Sequence, residues 1–130
     1  MKNQQIIKLA VAAAREKKAE ELVALDLRGL SSLTDYFFIC SAANSRQVKA
    51  IAEEIGESLG RASRPPRRVE GLTESRWVVL DFGEVIVHVF LNEARAYYSL
   101  ETLWGDAPRE EFQPGGSTAA EGTVNNFMKE

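Results

Sequence analysis

The sequence predicts a single α/β domain in which a five-stranded mixed sheet is flanked by helices. The 130 residues, 45% of them hydrophobic, are enough to build one ordinary core. Short apolar runs of strand length alternate with longer stretches in which apolar residues recur at helical spacing. Two of the runs are apolar on both faces, which is typical of strands in a sheet covered by helices. The predicted order is α-β-β-α-β-β-β-α.

The first helix and the first two strands follow from the N-terminal third of the chain. Between residues 3 and 18, apolar side chains recur at helical spacing and leave the charged residues to other faces. The runs at 22–27 and 36–41 are short and apolar, and the first of them is stopped by Gly29. We therefore expect an amphipathic helix followed by two buried strands.

The second helix is the most clearly marked element. Asn44 or Ser45 can cap its first turn, and Gly60 lies near its end. Its apolar stripe consists of Val48, Ile51, Ala52, Ile55 and Leu59. The next segment, 61–68, contains two prolines and cannot continue the helix. We expect a basic loop there.

Three strands and a last helix are expected in the following segment. A short strand is predicted around 68–70, and two longer strands occupy 77–90, folded about a turn at 81–84. Asn92 can cap a helix that continues over 93–104.

From residue 108 the composition changes to scattered charges, prolines and glycines with few large apolar groups. Such a segment cannot bury enough apolar surface to fold against a core. The sequence thus predicts a domain over residues 1–107 and a flexible tail over 108–130.

Composition excludes several classes of function. The net charge of −3 provides no broad positive field for nucleic acid. One cysteine, Cys40, and one histidine, His88, fall short of a zinc-ligand set, and an internal disulfide is impossible. No signal peptide or membrane-spanning run is evident. A cytoplasmic, metal-free protein is expected.

Candidate catalytic groups are few and isolated. Asp26 and Asp81 lie in apolar strands, where metal-dependent nucleotidyl transfer would need carboxylates, but neither has an acidic residue two positions along its strand. His88 has no recognisable triad partner, and Cys40 has no neighbouring cation. Nucleotide-binding glycine motifs are absent. We expect no catalytic residue and no cofactor.

Aromatic residues of the C-terminal half indicate a protein-binding site. Trp77 follows two polar residues, and Tyr98 projects about 100° away from the stripe that contains Tyr97 and Trp104. Exposed tryptophan and tyrosine are favoured anchors of interfaces, although packing in the core is an equal alternative for Trp77. Acidic residues near the hairpin would form the rim of such a site. The candidate partner-binding residues are Trp77, Glu70, Asp81, Glu84, His88 and Tyr98.

The basic loop is a second, weaker candidate. Its arginines, Arg61, Arg64, Arg67 and Arg68, have the chemistry to contact RNA phosphates. An ordinary solvated loop is at least as good an interpretation. Contact with RNA is therefore expected to be peripheral at most.

Several ordered motifs resemble those of the RsfS/Iojap ribosome-silencing factors. They are Leu25-Asp26-Leu27, Thr34-Asp35-Tyr36-Phe37, Ser45-Arg46-Gln47-Val48, Ala50-Ile51-Ala52, Val69-Glu70-Gly71, Trp77-Val78-Val79-Leu80-Asp81, Gly83-Glu84-Val85-Ile86-Val87-His88-Val89-Phe90 and Tyr97-Tyr98-Ser99-Leu100-Glu101-Thr102-Leu103-Trp104. The resemblance covers about residues 3–107. It departs at Glu74-Ser75-Arg76, where a small residue commonly precedes the tryptophan, and in the tail.

The resemblance implies both a fold and a function. The fold would be related to that of nucleotidyltransferases, without their Gly-Ser and paired-carboxylate signature. The partner would be ribosomal protein fourteen of the large subunit (L-fourteen), bound so that the small subunit cannot join and translation is repressed when nutrients are scarce. A homodimer of the free protein is also implied. A nucleotidyltransferase-like enzyme and a homodimeric scaffold without ribosome binding stay open as alternatives.

Overall fold

Residues 1–114 are described by a computed structural model of the chain, and they form four helices and six strands. In chain order the elements are α1 (Asn3–Glu16), β1 (Glu20–Asp26), β2 (Tyr36–Ala42), α2 (Ser45–Arg61), β3 (Arg68–Glu70), β4 (Trp77–Asp81), β5 (Val85–Leu91), α3 (Asn92–Tyr98), α4 (Leu100–Leu103) and β6 (Arg109–Phe112). The predicted α/β class and the helices at the N-terminal and central positions are confirmed. As expected, Asn44 caps α2, because its side chain accepts a hydrogen bond from the Gln47 amide at 2.9 Å.

The strands form one sheet in the order β3-β4-β5-β2-β1-β6. β2 and β5 are parallel, and all other neighbours are antiparallel, so the sheet is mixed as predicted. The predicted number of five strands is wrong. The sixth strand, β6, pairs with β1 and comes from the segment predicted to be a tail. The remainder of that prediction, residues 115–130, lies outside the described residues.

Strand β6 is held in place by contacts distant in sequence. Phe112 is buried and makes an edge-to-face contact with Phe38, with ring centroids 6.3 Å apart. Immediately after the strand, the Gln113 carbonyl accepts a hydrogen bond from the buried Arg15 guanidinium of α1 at 2.7 Å. The composition of Arg109–Phe112, three charges and one phenylalanine, resembles that of a loop, and only pairing with β1 makes it a strand.

Removing β6 should therefore destabilise the domain. We expect a chain ending at residue 107 to lose at least about 2 kcal/mol of unfolding free energy, the transfer free energy of one buried phenylalanine. A chain ending at residue 114 is the matched control. Urea unfolding of the two chains measures the difference, and equal stabilities would show that β6 contributes nothing.

The helices cover the two faces of the sheet unequally. α1 and α2 pack on one face, which carries the buried side chains Val78 and Leu80 of β4. The opposite face carries the alternate residues of the same strand, including Trp77 and Val79, which are half-buried. Among the helices of residues 1–114, the α3–α4 segment is the one that packs on this second face. The main core therefore lies between the sheet and the helices α1 and α2.

The predicted last helix over 93–104 is interrupted. Ser99 adopts a left-handed conformation with φ of 50°, which separates α3 from α4. Asn92 is the first residue within α3 and its side chain does not cap the helix, contrary to the prediction. The break positions Glu101 against the buried Arg95, whose guanidinium donates two hydrogen bonds of 3.0 Å to that carboxylate.

Candidate protein-binding face

Aromatic side chains contact one another across the sheet face that α1 and α2 leave open. We call this surface the aromatic face. It consists of Phe37, Trp77, His88, Phe90, Tyr98 and Trp104. Register explains the grouping, because Trp77 pairs with Phe90 across β4 and β5 and their side chains point to the same side.

Trp77 is the centre of this surface. Its ring stacks on Phe90 with centroids 4.9 Å apart and lies 4.6 Å from the ring of Tyr98. Trp77 is half-buried, whereas Tyr98 is 50% exposed. Both earlier interpretations of Trp77 thus hold in part: it packs against the domain and also lies at the surface.

His88 is a buried member of the aromatic face. It is 6% exposed, and its ring lies 4.4 Å from that of Phe37. Nδ1 accepts a hydrogen bond of 3.0 Å from the indole Nε1–H of Trp77. Because an indole nitrogen can only donate, the proton of the neutral imidazole must be on Nε2. Burial lowers the pKa of His88 to about 4, so the ring is neutral near pH 7.

This geometry makes His88 a buried, hydrogen-bonded imidazole. The side chain is not at an exposed edge, where a partner would contact it directly. Its Nε2 atom is buried and has no hydrogen-bond partner within residues 1–114. Within the described part of the chain, the polar contact of the ring is the hydrogen bond that Nδ1 accepts from Trp77.

The acidic candidates do not surround Trp77. Asp81 is at the opposite end of β4, about 13 Å along the strand at 3.3 Å per residue. It initiates the turn as predicted, because its Oδ1 accepts a hydrogen bond from the Gly83 amide at 2.7 Å. Glu84 lies in the same turn and is exposed. Glu70 is exposed on β3, opposite Val79.

Each arginine of the basic loop has a partner within the domain. The contacts are Arg61 to Glu54 at 3.3 Å, Arg64 to the Phe82 carbonyl at 2.8 Å, Arg67 to Asp81 at 3.6 Å and Arg68 to Glu70 at 3.0 Å. These pairs offset much of the positive charge of the loop. They also offset the charge of Asp81 and Glu70, which leaves Glu84 as the acidic candidate without an ion pair within residues 1–114.

The groups considered for catalysis are held by their own surroundings. Asp26 accepts two hydrogen bonds from the Arg28 guanidinium, at 3.0 and 2.7 Å. Burial alone would raise the pKa of Asp26, but the bonds from Arg28 outweigh it and hold the pKa below its usual range. Cys40 is buried, and that burial raises the pKa of its thiol to about 12. Neither group is activated for chemistry.

No cluster of three or more histidine, cysteine, aspartate or glutamate side chains that could hold a metal ion is found within residues 1–114. The helices in the same part of the chain are all too short or too polar to span a lipid bilayer.

Sequence reasoning missed two phenylalanines of the aromatic face, and it missed Arg95, which connects α3 to α4. Phe37 and Phe90 lie in strands that are apolar except for one residue each, and such strands carry no alternation to show which side chains face the open side. Arg95 positions α4 and was not considered, because a single arginine in a helix normally faces solvent. The only local signal for this role of Arg95 is that α3 ends three residues before Glu101, the carboxylate that Arg95 binds.

The fold and this surface define a class: a small α/β protein with a preformed aromatic face on one side of its sheet. Comparison with known proteins gives the family. A family model described as "Ribosomal silencing factor during starvation", RsfS, matches residues 1–129. The chain belongs to the RsfS family, as its motifs indicated.

Individual relatives agree with this assignment. The ribosomal silencing factor RsfS of Halalkalibacterium halodurans is 46% identical over 87% of this chain and 97% of that protein. A crystal structure of a protein from Chromobacterium violaceum has a TM-score of 0.79 and 37% identity, covering 81% of this chain and 88% of that one. A mouse protein named "Mitochondrial assembly of ribosomal large subunit protein 1" is 30% identical over 75% of this chain and 44% of its own length.

Proposed function

We propose that this protein binds the large ribosomal subunit through ribosomal protein L-fourteen, prevents the small subunit from joining, and so represses translation when nutrients are limited. Membership of the RsfS family supports a ribosomal role. The observation that carries the contact itself is the aromatic face centred on Trp77. We place this activity in the cytoplasm, where ribosomal subunits join.

The aromatic face has the properties of an interface anchor. The Trp77 ring is fixed by Phe90 on one side and by Tyr98 on another, so little side-chain entropy is lost when a partner covers it. Trp and Tyr are the residue types that most often dominate binding energy. Tyr97 and Leu103, 81% and 71% exposed, extend the apolar surface along α3 and α4.

Charge favours a protein partner of the ribosome over its RNA. Ribosomal proteins are generally basic, and both Glu84 and Glu70 are exposed. Glu70 pairs with Val79 and so lies on the same side of the sheet as Val79 and Trp77. The arginines of the basic loop are paired within the domain, which reduces their attraction for phosphates. Contact with ribosomal RNA is therefore a peripheral part of the proposal.

We further propose that binding, and not catalysis, is the whole activity. Asp26 and Asp81 are engaged by Arg28 and by the Gly83 amide, and a relation of the fold to nucleotidyltransferases remains a prediction. Changing either aspartate to asparagine should affect folding or binding only. Calorimetric titration with nucleoside triphosphate and magnesium is the direct measurement. Saturable heat of binding that disappears in the Asp26→Asn variant would contradict this proposal.

Sedimentation tests the ribosomal role. Purified protein, mixed with large subunits and run on a sucrose gradient, should travel with the subunits, and adding small subunits should then yield fewer complete ribosomes. The aromatic face can also pair with a second copy in the free protein, so the protein alone is run in parallel to measure dimer. Dimer without co-sedimentation would leave a homodimeric scaffold as the function.

The His88 position distinguishes two roles for the imidazole. His88→Asn retains an acceptor near the place of Nδ1, whereas His88→Gln moves the amide to the place of Nε2. If His88 acts by orienting Trp77, the asparagine variant should bind large subunits within about threefold of wild type, and the glutamine variant about tenfold more weakly, a loss near 1.4 kcal/mol. The opposite order would mean that Nε2–H contacts the partner.

A further inference from the structure

A second apolar groove lies on the opposite side of the sheet from the aromatic face. It runs between α2 and the edge strand β3 and has a volume of about 310 Å³. Its lining residues are Ala52, Glu53, Gly56, Glu57, Pro66, Val69, Leu72 and Leu80. Leu80 is fully buried at its floor, while Val69 is 38% exposed at its wall. The groove is therefore open to solvent beside a strand that has no outer neighbour in the described sheet.

Within residues 1–114, no contact explains why position 56 is a glycine. It lies in the middle of α2, where glycine costs about 1 kcal/mol relative to alanine. A Cβ atom at this position would meet only Leu80 Cδ2 at 3.7 Å, an ordinary contact. Neither the packing nor the helical backbone requires glycine here. Its effect is to deepen the groove and to let another chain approach the helix closely.

The charged groups of the groove have one sign. Glu53 and Glu57 are one helical turn apart on its wall, and no cation is among the lining residues. Neither carboxylate has an ion pair within residues 1–114, whereas the neighbouring Glu54 is paired with Arg61. The arginines that follow α2 are engaged with Asp81, Glu70 and the Phe82 carbonyl, outside the lining. Nucleic acid would be repelled, and a cationic chain would be attracted.

We propose that this groove docks a basic peptide segment of a protein partner. One apolar side chain of the segment lies over Leu80 beside Gly56, and its lysine or arginine side chains meet Glu53 and Glu57. Because the groove and the aromatic face are on opposite sides of the sheet, both can be occupied together. This inference is independent of the ribosomal role.

A synthetic peptide of alternating leucine and lysine, carrying a fluorescent label, serves as the probe. Fluorescence anisotropy should detect its binding to the full chain, weakening as salt is raised. Gly56→Leu fills the groove and should weaken binding by about tenfold or more. The double variant Glu53→Gln, Glu57→Gln should weaken it similarly and reduce the salt dependence. The same peptide with glutamate in place of lysine should not bind.

Three matched variants identify the groove as the site. Gly56→Ala, whose methyl group fits at 3.7 Å from Leu80, should retain the peptide and unfold at a higher temperature. Glu16→Gln changes an exposed carboxylate on α1, and Trp77→Ala changes the aromatic face. Both should bind the peptide as wild type does.

Unchanged affinity in a folded Gly56→Leu variant, or equal weakening by Glu16→Gln, would overturn the proposal. So would self-association of the wild type that Gly56→Leu abolishes, because the occupant would then be a second copy. Failure of the protein to sediment with large subunits would overturn the ribosomal role and leave this result unaffected.

Discussion

Trp77→Ala should weaken binding to the large ribosomal subunit by about 2–4 kcal/mol, or roughly 30- to 1000-fold. The substitution removes the ring that stacks on Phe90 and contacts Tyr98, and thereby the centre of the aromatic face. It also removes a half-buried side chain from the domain, so part of the effect will be on stability. Binding must be measured on protein shown by circular dichroism to be folded.

Two variants isolate the role of the Trp77 ring. Tyr97→Ala removes an aromatic side chain that is 81% exposed and contacts Tyr98, and it should cost much less affinity. Trp77→Phe retains a ring but loses the donor to His88 Nδ1, and should fall between the two. Wild-type affinity in folded Trp77→Ala, together with intact inhibition of subunit joining, would remove this residue from the interface.

Arg95→Met should lower the unfolding free energy by about 3–4 kcal/mol, because it breaks a buried ion pair from one side. Arg95 is 8% exposed and contacts Glu101, Ser41 Oγ at 3.0 Å and the Glu21 carbonyl at 2.7 Å. These bonds connect α3 to α4 and to two strands. Without them Glu101 loses its two shorter hydrogen bonds and retains only the longer contact with Arg109, the Glu21 carbonyl loses the Arg95 donor, and the α3–α4 segment loses these bonds to the sheet.

Arg109→Met is the matched control for this prediction. Arg109 also approaches Glu101, at 3.5 Å, but its side chain is 46% exposed, so its loss should cost less than about 1 kcal/mol. Urea unfolding of both variants measures the difference. Equal effects would mean that burial of the guanidinium is not what makes Arg95 important.

The ion pair between Arg95 and Glu101 makes the stability of the fold depend on pH. Hydrogen bonds from Arg95 hold the pKa of Glu101 below its usual value of 4.5. A carboxylate whose pKa is lower in the folded state stabilises the fold above pH 4.5, and this contribution is lost as the pH falls through the lower value. His88 also makes the fold less stable as the pH falls, but over a higher range of pH. Its folded pKa of about 4 makes stability fall as the pH drops from 6.5 to about 4.

Local pattern was sufficient for most of the fold. The stripe from Val48 to Leu59 predicted α2, with Asn44 or Ser45 as its cap, and the structure has Asn44 there. Val85–Leu91 and Tyr36–Ala42 were predicted as buried strands because their residues are apolar without alternation. Each of these features is a property of neighbouring residues, which is what periodicity and capping report.

The errors arose where distant contacts decide the structure. Arg109–Phe112 is a strand because β1 has a free edge, and the break at Ser99 coincides with the bonds between Arg95 and Glu101. The candidate site was affected in the same way. Trp77 was chosen for its local setting, whereas the partners that orient it, His88 and Phe90, are eleven and thirteen residues away. Asp81 was expected beside Trp77, but the two residues are at opposite ends of β4, about 13 Å apart along the strand.

The position of β6 at the end of the described chain affects the order of folding. β1 begins at Glu20 and has two neighbours in the sheet, β2 and β6. The second of these, β6, is not complete until Phe112 has been synthesised. Until then the backbone donors and acceptors on the outer side of β1 have no strand to pair with, a state that favours association between chains. Closing so long a loop is also slow. We therefore expect the edge at β1 to be completed last, after the rest of the sheet has formed during translation.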